Sequence, residues 1–194
     1  MAHAMFGGVL PVEDNSIVQT RRNSRTGSIS FIRRGSRQGS ITQAHINATF
    51  MNEALAEARR SLAEGGIPNG CVLVHNGQIV ARGRNRRIQL SSPILHAEMT
   101  CIEAAGRQPA SFYHNCTLYT TLSPCSMCAG AIRFYGIPHV VIGENKTYHG
   151  DEALLRASNV QVDVLDSPEC QEIMEHFVRD HPLVWYECIA HKAH

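Results

Sequence analysis

The chain has 194 residues, a formal net charge of +1 at pH 7, 43% hydrophobic residues and 18% charged residues. This composition is typical of a soluble globular protein that is long enough to bury one core. No apolar run reaches the length that spans a membrane, and the first residues lack the charged-then-apolar pattern of a secretory signal. Most of the seven cysteines are scattered singly, as buried thiols are in a reducing compartment. We therefore expect a cytoplasmic protein without a membrane partner, with the nucleus as a further location.

Residues 1–44 are predicted to form a disordered extension. The stretch from 15 to 40 is rich in Ser, Arg, Gly and Thr and poor in apolar residues, so it cannot bury much surface. It holds two R-R-x-S sequences, which basophilic kinases favour, and phosphorylation of Ser24 or Ser36 would offset the arginine charge. An unmodified solvated linker is the alternative. An organelle transit peptide is a third interpretation, which two acidic residues before the run oppose.

The charge is unevenly distributed along the chain. Residues 1–46 contain six arginines and two acidic residues, a balance of +4, which leaves −3 for residues 47–194. Long phosphate backbones bind surfaces with clustered lysines and arginines. The slightly acidic remainder therefore argues against nucleic acid as a partner and favours a small neutral molecule.

The folded catalytic domain is predicted to span residues 45–194 and to begin with a helix. Apolar residues recur at helical spacing from Phe50 to Leu62, and two glycines followed by a proline end this helix. Two short apolar runs, Cys71–His75 and Ile79–Arg82, then flank an Asn-Gly dipeptide, which is the strongest short signal for a β-hairpin. The first part of the domain is therefore a helix followed by a hairpin.

The rest of the domain alternates helices and strands. Helices are predicted over His96–Ala105, from Pro124 to Tyr135 and near 151–157 and 169–180, and strands over Thr117–Thr121, His139–Gly143 and Val160–Leu165. Such an order implies a mixed sheet with helices on both faces. The predicted fold class is therefore α/β, a three-layer α/β/α sandwich with a mixed central sheet of about five strands.

Two clusters of residues combine into a candidate zinc site. His96 and Glu98 are two residues apart, and Cys125 and Cys128 follow Pro124 as a C-x-x-C pair. One imidazole and two thiolates leave the fourth position of Zn²⁺ open for water, which loses a proton near neutral pH and becomes a hydroxide nucleophile. A carboxyl group beside that water can move protons, and H-x-E followed by P-C-x-x-C is the signature of zinc-dependent deaminases. We therefore predict hydrolytic deamination of a nucleobase-like ring, with one Zn²⁺ per chain.

Other interpretations of the cysteine pair are weaker. A structural zinc site would need a fourth Cys or His at ligand spacing, and a redox pair would follow the first strand of the domain. The segment His191–His194 offers the best remaining ligands, and we interpret it as a solvated tail. Both clusters are predicted at helix N-termini, with Cys125 and Cys128 in the first turn. There the backbone N–H groups favour thiolate over thiol.

Segments outside the metal motif also match the pattern of a known protein family. The segments that carry it are Glu64–Pro68, Gly83–Asn85, Leu95–Glu98, Thr117–Cys128, Tyr135–Pro138, Val141–Asn145 and Trp185–Glu187. Over residues 45–189 the chain resembles the fungal cytosine deaminase family, within the cytidine-deaminase-like superfamily. The resemblance implies hydrolysis of cytosine to uracil and ammonia by a zinc-dependent homodimer. It implies that His96, Cys125 and Cys128 bind Zn²⁺, and that Glu98 carries protons from the water to the ring nitrogen and the departing amine.

The resemblance also implies a set of substrate contacts. Asn85 matches an asparagine that holds the base, since an amide both donates to and accepts from the edge of a lactam-like ring. Ser123 matches a position whose backbone carbonyl faces the leaving amine, and Ala97 replaces a glycine whose backbone N–H serves the substrate. Tyr148 and Trp185 match aromatic residues that cover the ring. Without the resemblance, both aromatic residues would be interpreted as part of the core.

Two positions depart from the family pattern. Asn69 replaces an aliphatic pocket residue, and Cys188 replaces an acid that helps to hold the base near its amine. A thiol cannot replace the charged hydrogen bond of a carboxylate, and a site built around that bond loses discrimination without it. The neighbouring Glu187 is a candidate substitute, although adjacent helical positions point about 100° apart. All three residues are therefore predicted to contact the substrate.

Three other functions remain open at this point. The two departures favour a different amino-heterocycle, such as guanine, a pterin, a triazine or a creatinine-like ring. A tRNA adenosine deaminase shares the zinc core, but it needs a basic surface for an anticodon stem. A catalytically silent protein could keep the zinc as a structural element and act as a binding partner. Retention of Glu98 argues against this last function, because a structural site has no use for that carboxylate.

Overall fold

The computed structural model describes residues 42–189. The predicted disorder of the extension and its two R-R-x-S sequences therefore lie outside the described residues. Gln43 and Ala44, which the sequence assigns to the extension, are the first two residues of helix α1, Gln43–Ala63. Thr42 caps this helix, since its hydroxyl oxygen accepts a hydrogen bond from the His45 N–H at 3.3 Å. The helix thus begins two residues before the predicted boundary.

Five strands form one mixed sheet. They are β1 (Gly70–His75), β2 (Gln78–Arg84), β3 (Cys116–Leu122), β4 (His139–Glu144) and β5 (Gln161–Val164). The spatial order is β2-β1-β3-β4-β5, with β1 antiparallel to β2 and β3, and with β3, β4 and β5 parallel. Asn76 and Gly77 form the predicted hairpin turn, with φ angles of 50° and 76°. The mixed five-stranded sheet confirms the predicted architecture.

Helices cover both faces of the sheet. Besides α1 they are α2 (Ala97–Ala104), α3 (Ala110–Tyr113), α4 (Ser126–Tyr135), α5 (Glu152–Ala157), α6 (Pro168–Asp180) and α7 (Pro182–Cys188). Alternate residues of β1 point to opposite faces, so Leu73 packs in one cluster with α2, α4 and α5, whereas Val72 packs with α1 and α6. None of the helices described is long and apolar enough to cross a membrane. The short helices α3 and α7 are missing from the predicted elements.

Two glycines let helices approach the hairpin from both faces. A Cβ at Gly70 would lie 2.0 Å from the Ala54 carbonyl oxygen on α1. A Cβ at Gly83 would lie 2.3 Å from the Cys101 backbone nitrogen on α2. Because any side chain would collide with main-chain atoms at both positions, only glycine allows this packing. The ends of β1 and β2 are therefore held between two helix backbones.

Candidate active site and metal centre

The three predicted metal ligands come from the N-termini of two helices. His96 is the N-cap residue of α2, and Cys125 is the N-cap residue of α4. Cys128 lies in the first turn of α4, where its side chain is fully buried. Cys125 thus precedes the helix by one residue, rather than lying in its first turn as predicted. In both places unpaired backbone N–H groups at the helix end favour negative charge.

The three side chains have the spacing of a tetrahedral metal site. The Nδ1 atom of His96 lies 3.5 Å from Sγ of Cys125 and 3.7 Å from Sγ of Cys128, and the two sulfur atoms are 3.7 Å apart. Tetrahedral Zn²⁺ with ordinary bond lengths needs about 3.6 Å between nitrogen and sulfur and about 3.8 Å between the sulfurs. The observed distances agree with these values to about 0.1 Å, so the donor set fits zinc.

Without metal, this cluster contains an imidazolium and a thiolate. Hydrogen bonds from Cys128 and His96 lower the pKa of Cys125 to about 4, although burial opposes them. Burial also disfavours a charged His96, but hydrogen bonds with Cys125 and Cys188 outweigh it and raise the pKa of His96 to about 10. The hydrogen bond with Cys125, together with burial, raises the pKa of the Cys128 thiol well above its usual range. A bound metal therefore has to displace protons from two of its three ligands.

Glu98 is a buried carboxyl group beside the metal ligands. Its side chain is 1% exposed, and its Oε1 accepts a hydrogen bond from the Thr120 hydroxyl at 2.9 Å. Its Oε2 lies 3.3 Å from Sγ of Cys128. Burial raises the pKa of Glu98, the Cys125 thiolate adds to this effect, and His96 opposes it. A carboxyl group with a raised pKa is suited to take up and release protons near neutral pH.

A cavity of about 290 Å³ opens beside these groups. The predicted site residues that line it are Asn69, Asn85, His96, Glu98, Ser123, Cys125, Tyr148, Trp185 and Cys188. Ile67, Leu122 and Met127 add apolar surface. Ala97 is fully buried as the first residue of α2, where its N–H has no partner within the helix. The structure thus brings nearly all of the predicted residues together.

Glu187, like Ala97, is a predicted contact that does not line this cavity. Its side chain is 74% exposed, and its carboxylate lies 3.5 Å from the Arg87 guanidinium. Neighbouring positions on a helix point about 100° apart, so Cys188 and Glu187 on α7 cannot both face the cavity. Since Cys188 lines the cavity, Glu187 does not take the place of the missing acid.

Ser123 is held by a buried network that the sequence does not reveal. Its hydroxyl donates to the Glu152 carboxylate at 2.9 Å and accepts from the Gly150 N–H at 3.2 Å. Asn145 and Arg156 also donate to Glu152, at 3.0 Å each. Burial raises the pKa of Glu152, but these hydrogen bonds outweigh it and lower the pKa below the usual value. Glu152 thus remains ionised and fixes the loop that carries Ser123.

The aromatic residues and two threonines complete the surroundings. Trp185 is 4% exposed and meets Tyr148 edge to face, with ring centroids 6.1 Å apart. Thr120 and Thr121 are fully buried on β3 and hydrogen-bond Glu98 and Asn69 respectively. Their strand assignment is predicted, but no sequence signal names their partners. These contacts fix the carboxyl and amide groups that face the cavity.

Comparison with known proteins agrees with the site. The family model for the cytidine and deoxycytidylate deaminase zinc-binding region matches residues 44–144. The cytosine deaminase of Candida albicans is 47% identical over 137 residues, which cover 70% of this chain and 91% of that protein. A tRNA-specific adenosine deaminase of Streptococcus pyogenes is 39% identical over 140 residues, covering 67% of this chain and 88% of that protein.

Solved structures have the same fold. A structure from a study of A-to-I editing by tRNA:A34 deaminases matches with a TM-score of 0.56 and 33% identity, covering 65% of this chain and 99% of that chain. The region that the family model matches includes both zinc clusters and strand β3 between them. The chain therefore belongs to the fungal cytosine deaminase family, within the zinc-binding cytidine and deoxycytidylate deaminases.

Proposed function

We propose that this protein hydrolyses cytosine, or a ring closely similar to cytosine, to the corresponding lactam and ammonia. The observation that carries the proposal is the placement of three metal ligands at tetrahedral spacing beside the buried Glu98. The cavity at this point accommodates one small ring. The family relationship and the 47% identity with a cytosine deaminase supply the substrate class.

His96, Cys125 and Cys128 would hold one Zn²⁺ per chain. When bound, zinc would lower the pKa of water toward neutrality, because three protein ligands leave one of its four coordination positions for water. The protein supplies the remaining requirements, because two helix N-termini favour the thiolates that bind the ion. Thr120 and the α2 backbone hold Glu98 beside that position.

Glu98 would carry the protons of the reaction. It takes a proton from the attacking water and delivers it to the ring nitrogen, then takes the second proton from the new hydroxyl group on the ring and delivers it to the amine as the carbon–nitrogen bond breaks. The water oxygen becomes the new carbonyl oxygen, and the amine leaves as ammonia. Burial raises the pKa of Glu98, which favours its protonated form between these transfers. No other carboxyl group of residues 42–189 lines the cavity.

The ring would be held by polar groups at its edge and aromatic groups on its face. Asn85 donates to the ring carbonyl, the N–H of Ala97 assists it, and the Ser123 backbone carbonyl accepts from the leaving amine. Tyr148 and Trp185 cover the ring and exclude water from it, since Trp185 is buried and Tyr148 is half-buried. The family resemblance supports each of these roles, and all of these residues except Ala97 line the cavity.

The assembly and location belong to the same proposal. We expect a homodimer in the cytoplasm, as the resemblance to the fungal enzymes implies, with a small nucleobase-like substrate and no nucleic-acid partner. Light scattering of the purified protein tests the dimer, since a monomer and a dimer differ twofold in mass. A single 21.4 kDa species at micromolar concentration would contradict it.

The deciding experiment measures ammonia release by the zinc-loaded protein. The panel contains cytosine, 5-methylcytosine, cytidine, adenine, guanine, creatinine and a tRNA anticodon stem-loop. We expect turnover of cytosine, and we expect Glu98→Gln to reduce kcat at least about 1000-fold while zinc content and folding persist. Glu103→Gln is the matched control, because Glu103 lies exposed on the same helix and should leave activity unchanged.

The tRNA adenosine deaminases are the second candidate, since 39% identity links them to this chain. Residues 47–194 carry a net charge of −3, which disfavours an RNA stem at this domain. Turnover of the stem-loop without turnover of any free base would establish this second function. Zinc binding without turnover of any compound would instead favour a catalytically silent binding protein.

A further inference from the structure

Two asparagine side chains lie next to each other on one wall of the cavity. Asn69 precedes β1 and Asn85 follows β2, and the Asn85 N–H donates to the Asn69 carbonyl oxygen at 2.9 Å. Both residues line the cavity, although they are only 6% and 2% exposed. A buried amide has to find partners for its oxygen and for its two N–H groups. The partners of the two oxygens determine which atoms remain for a substrate.

The orientation of the Asn85 amide is fixed by a backbone donor. The Arg87 N–H donates to Oδ1 of Asn85 at 3.1 Å. A backbone N–H is always a donor, so the atom that it meets has to be the oxygen of the amide. The Nδ2 group of Asn85 is therefore the part that is free to reach the substrate.

The orientation of the Asn69 amide is fixed by Thr121. The Thr121 hydroxyl accepts from the Gly70 N–H at 3.1 Å and donates to Oδ1 of Asn69 at 2.8 Å. If the amide were turned around, its Nδ2 would face the hydroxyl and the hydroxyl hydrogen would lose this acceptor. The observed orientation satisfies all three groups, and it leaves Nδ2 of Asn69 free.

This wall of the cavity therefore presents two unpaired donor groups, while each amide oxygen already accepts one hydrogen bond. Neither Nδ2 group donates a hydrogen bond to another side chain or backbone group of residues 42–189. A ring bound here has to supply two neighbouring acceptors, or a buried N–H group stays unpaired and binding weakens. In cytosine the carbonyl oxygen can satisfy Asn85. On one side of the carbonyl lies N3, the nitrogen that Glu98 protonates, and on the other side lie N1–H and C6–H, which cannot accept.

We propose that Asn69 determines specificity, by selecting rings that carry an acceptor nitrogen next to the edge held by Asn85. The inference rests on the proposed function and refines its substrate class. The preferred substrate is 6-azacytosine, an aminotriazinone with a ring nitrogen in place of the C6–H group on this side of the carbonyl. Asn69 acts on ring selection alone, whereas the metal ligands and Glu98 act on every ring.

The test compares rings of the same shape in two proteins whose side chains at position 69 are similar in size but differ in polarity. The kcat/KM values for cytosine, 5-azacytosine and 6-azacytosine are measured with the zinc-loaded protein and with Asn69→Leu, which keeps the size of the side chain. An aza ring differs from cytosine in intrinsic reactivity, but that difference cancels when the aza-to-cytosine ratios of the two proteins are divided. We expect the ratio for 6-azacytosine to fall at least about tenfold in the variant. The ratio for 5-azacytosine should not change, because its added nitrogen lies across the ring from the carbonyl.

A binding measurement keeps this test independent of turnover. The same three rings are titrated calorimetrically into Glu98→Gln and into Glu98→Gln/Asn69→Leu, both loaded with zinc. If no ring is turned over but the double variant loses the aza preference in binding, the proposed activity is wrong and the role of Asn69 stands. Equal 6-azacytosine-to-cytosine ratios in both proteins, within about twofold, would overturn the role of Asn69.

Thr121→Val is a second variant in case Asn69→Leu does not fold. It keeps Asn69 but removes the hydroxyl that orients it, so the aza-to-cytosine ratio should fall. Thr121→Ser restores a hydroxyl and should restore the ratio, which a merely structural role of Thr121 would not require. If the aza-to-cytosine ratio of kcat/KM fell in Thr121→Ser as far as in Thr121→Val, the proposed orientation of Asn69 would be wrong.

Discussion

The two halves of the cavity differ in how closely they follow the family. The metal half contains His96, Cys125, Cys128 and Glu98, and every element of the zinc-deaminase signature is present there. The ring half is built from strand ends and from α7, and it departs from the family at Asn69 and Cys188. The first half is positioned by two helix N-termini, whereas the second depends on single side chains.

This difference separates reaction type from substrate choice. A change of one metal ligand alters the coordination number, so no partial version of that half is functional. A change in the ring half exchanges one hydrogen-bond partner for another and leaves the metal half intact. We therefore expect mutations in the metal half to affect all rings equally, and mutations in the ring half to alter the ratios between rings. Four predictions test this division.

Removal of a metal ligand should have the largest effect. Cys128 is fully buried between the other ligands and Glu98, and a serine hydroxyl does not ionise to replace its thiolate. We expect Cys128→Ser to retain less than about one tenth of the zinc and to lose activity on every ring. Metal analysis and ammonia release measure both effects. Cys116→Ser is the control. The Cys116 thiol donates to the Phe112 carbonyl oxygen and is not part of the metal cluster, so this variant should keep its zinc.

Zinc affinity should depend steeply on pH. At pH 7 Cys125, with a pKa of about 4, is already a thiolate, whereas His96, with a pKa of about 10, and the Cys128 thiol still carry protons. Binding therefore releases about two protons, and affinity should weaken about 100-fold for each unit that the pH falls. Competition with a chromophoric chelator at pH 6, 7 and 8 measures this slope. A slope of three protons would mean that Cys125 is a thiol in the metal-free protein.

Loss of the Thr120 hydroxyl should reduce activity by a smaller and uniform factor. This group donates to Glu98, and hydrogen bonding lowers the pKa of that carboxyl against the effect of burial. In Thr120→Val the pKa of Glu98 should rise further, so the acid limb of the kcat/KM profile should move to higher pH. We expect about a tenfold loss at neutral pH for all rings. Thr120→Ser should restore the profile, and a change that differs between rings would contradict the division.

Introduction of an acid at position 188 should have the smallest effect and the most selective one. The resemblance to the fungal family implies an acid here, and Cys188 already lines the cavity. We expect Cys188→Asp to raise kcat/KM for cytosine about fivefold, because a carboxylate accepts from the amine more strongly than a thiol does. Cys188→Ser should give no such gain. If kcat/KM rose by the same factor for every ring, the new acid would be acting on the metal half instead.

The sequence predicts the sheet and the metal half well because their signals are local. Hydrophobic alternation, the Asn-Gly turn and the glycine and proline breaks all lie within the segments that they organise. The ligand motif is also short, since His96 and Glu98 share one turn and the cysteines share another. Local signals of this kind do not depend on knowledge of the tertiary structure.

The rest depends on contacts between distant parts of the chain. The orientation of Asn69 comes from Thr121, 52 residues away, and the loop of Ser123 is held by Glu152, 29 residues away. Helix α7 has only seven residues, and it forms because Trp185 packs with Phe177 and Met174. The exposure of Glu187 follows from the phase of that helix. None of these features leaves a pattern in the neighbouring sequence.

The close packing at Gly70 and Gly83 has a consequence for how such a protein can diversify. Main-chain contacts with α1 and α2 fix the path of the strands at these two points, one residue from Asn69 and two from Asn85. The side chains beside them can therefore be exchanged without moving the backbone that presents them. A library randomised at 69 and 188 should consist largely of folded, zinc-binding members with different ring preferences. A lineage that keeps the two glycines can thus change its substrate through single replacements while its catalytic apparatus is inherited intact.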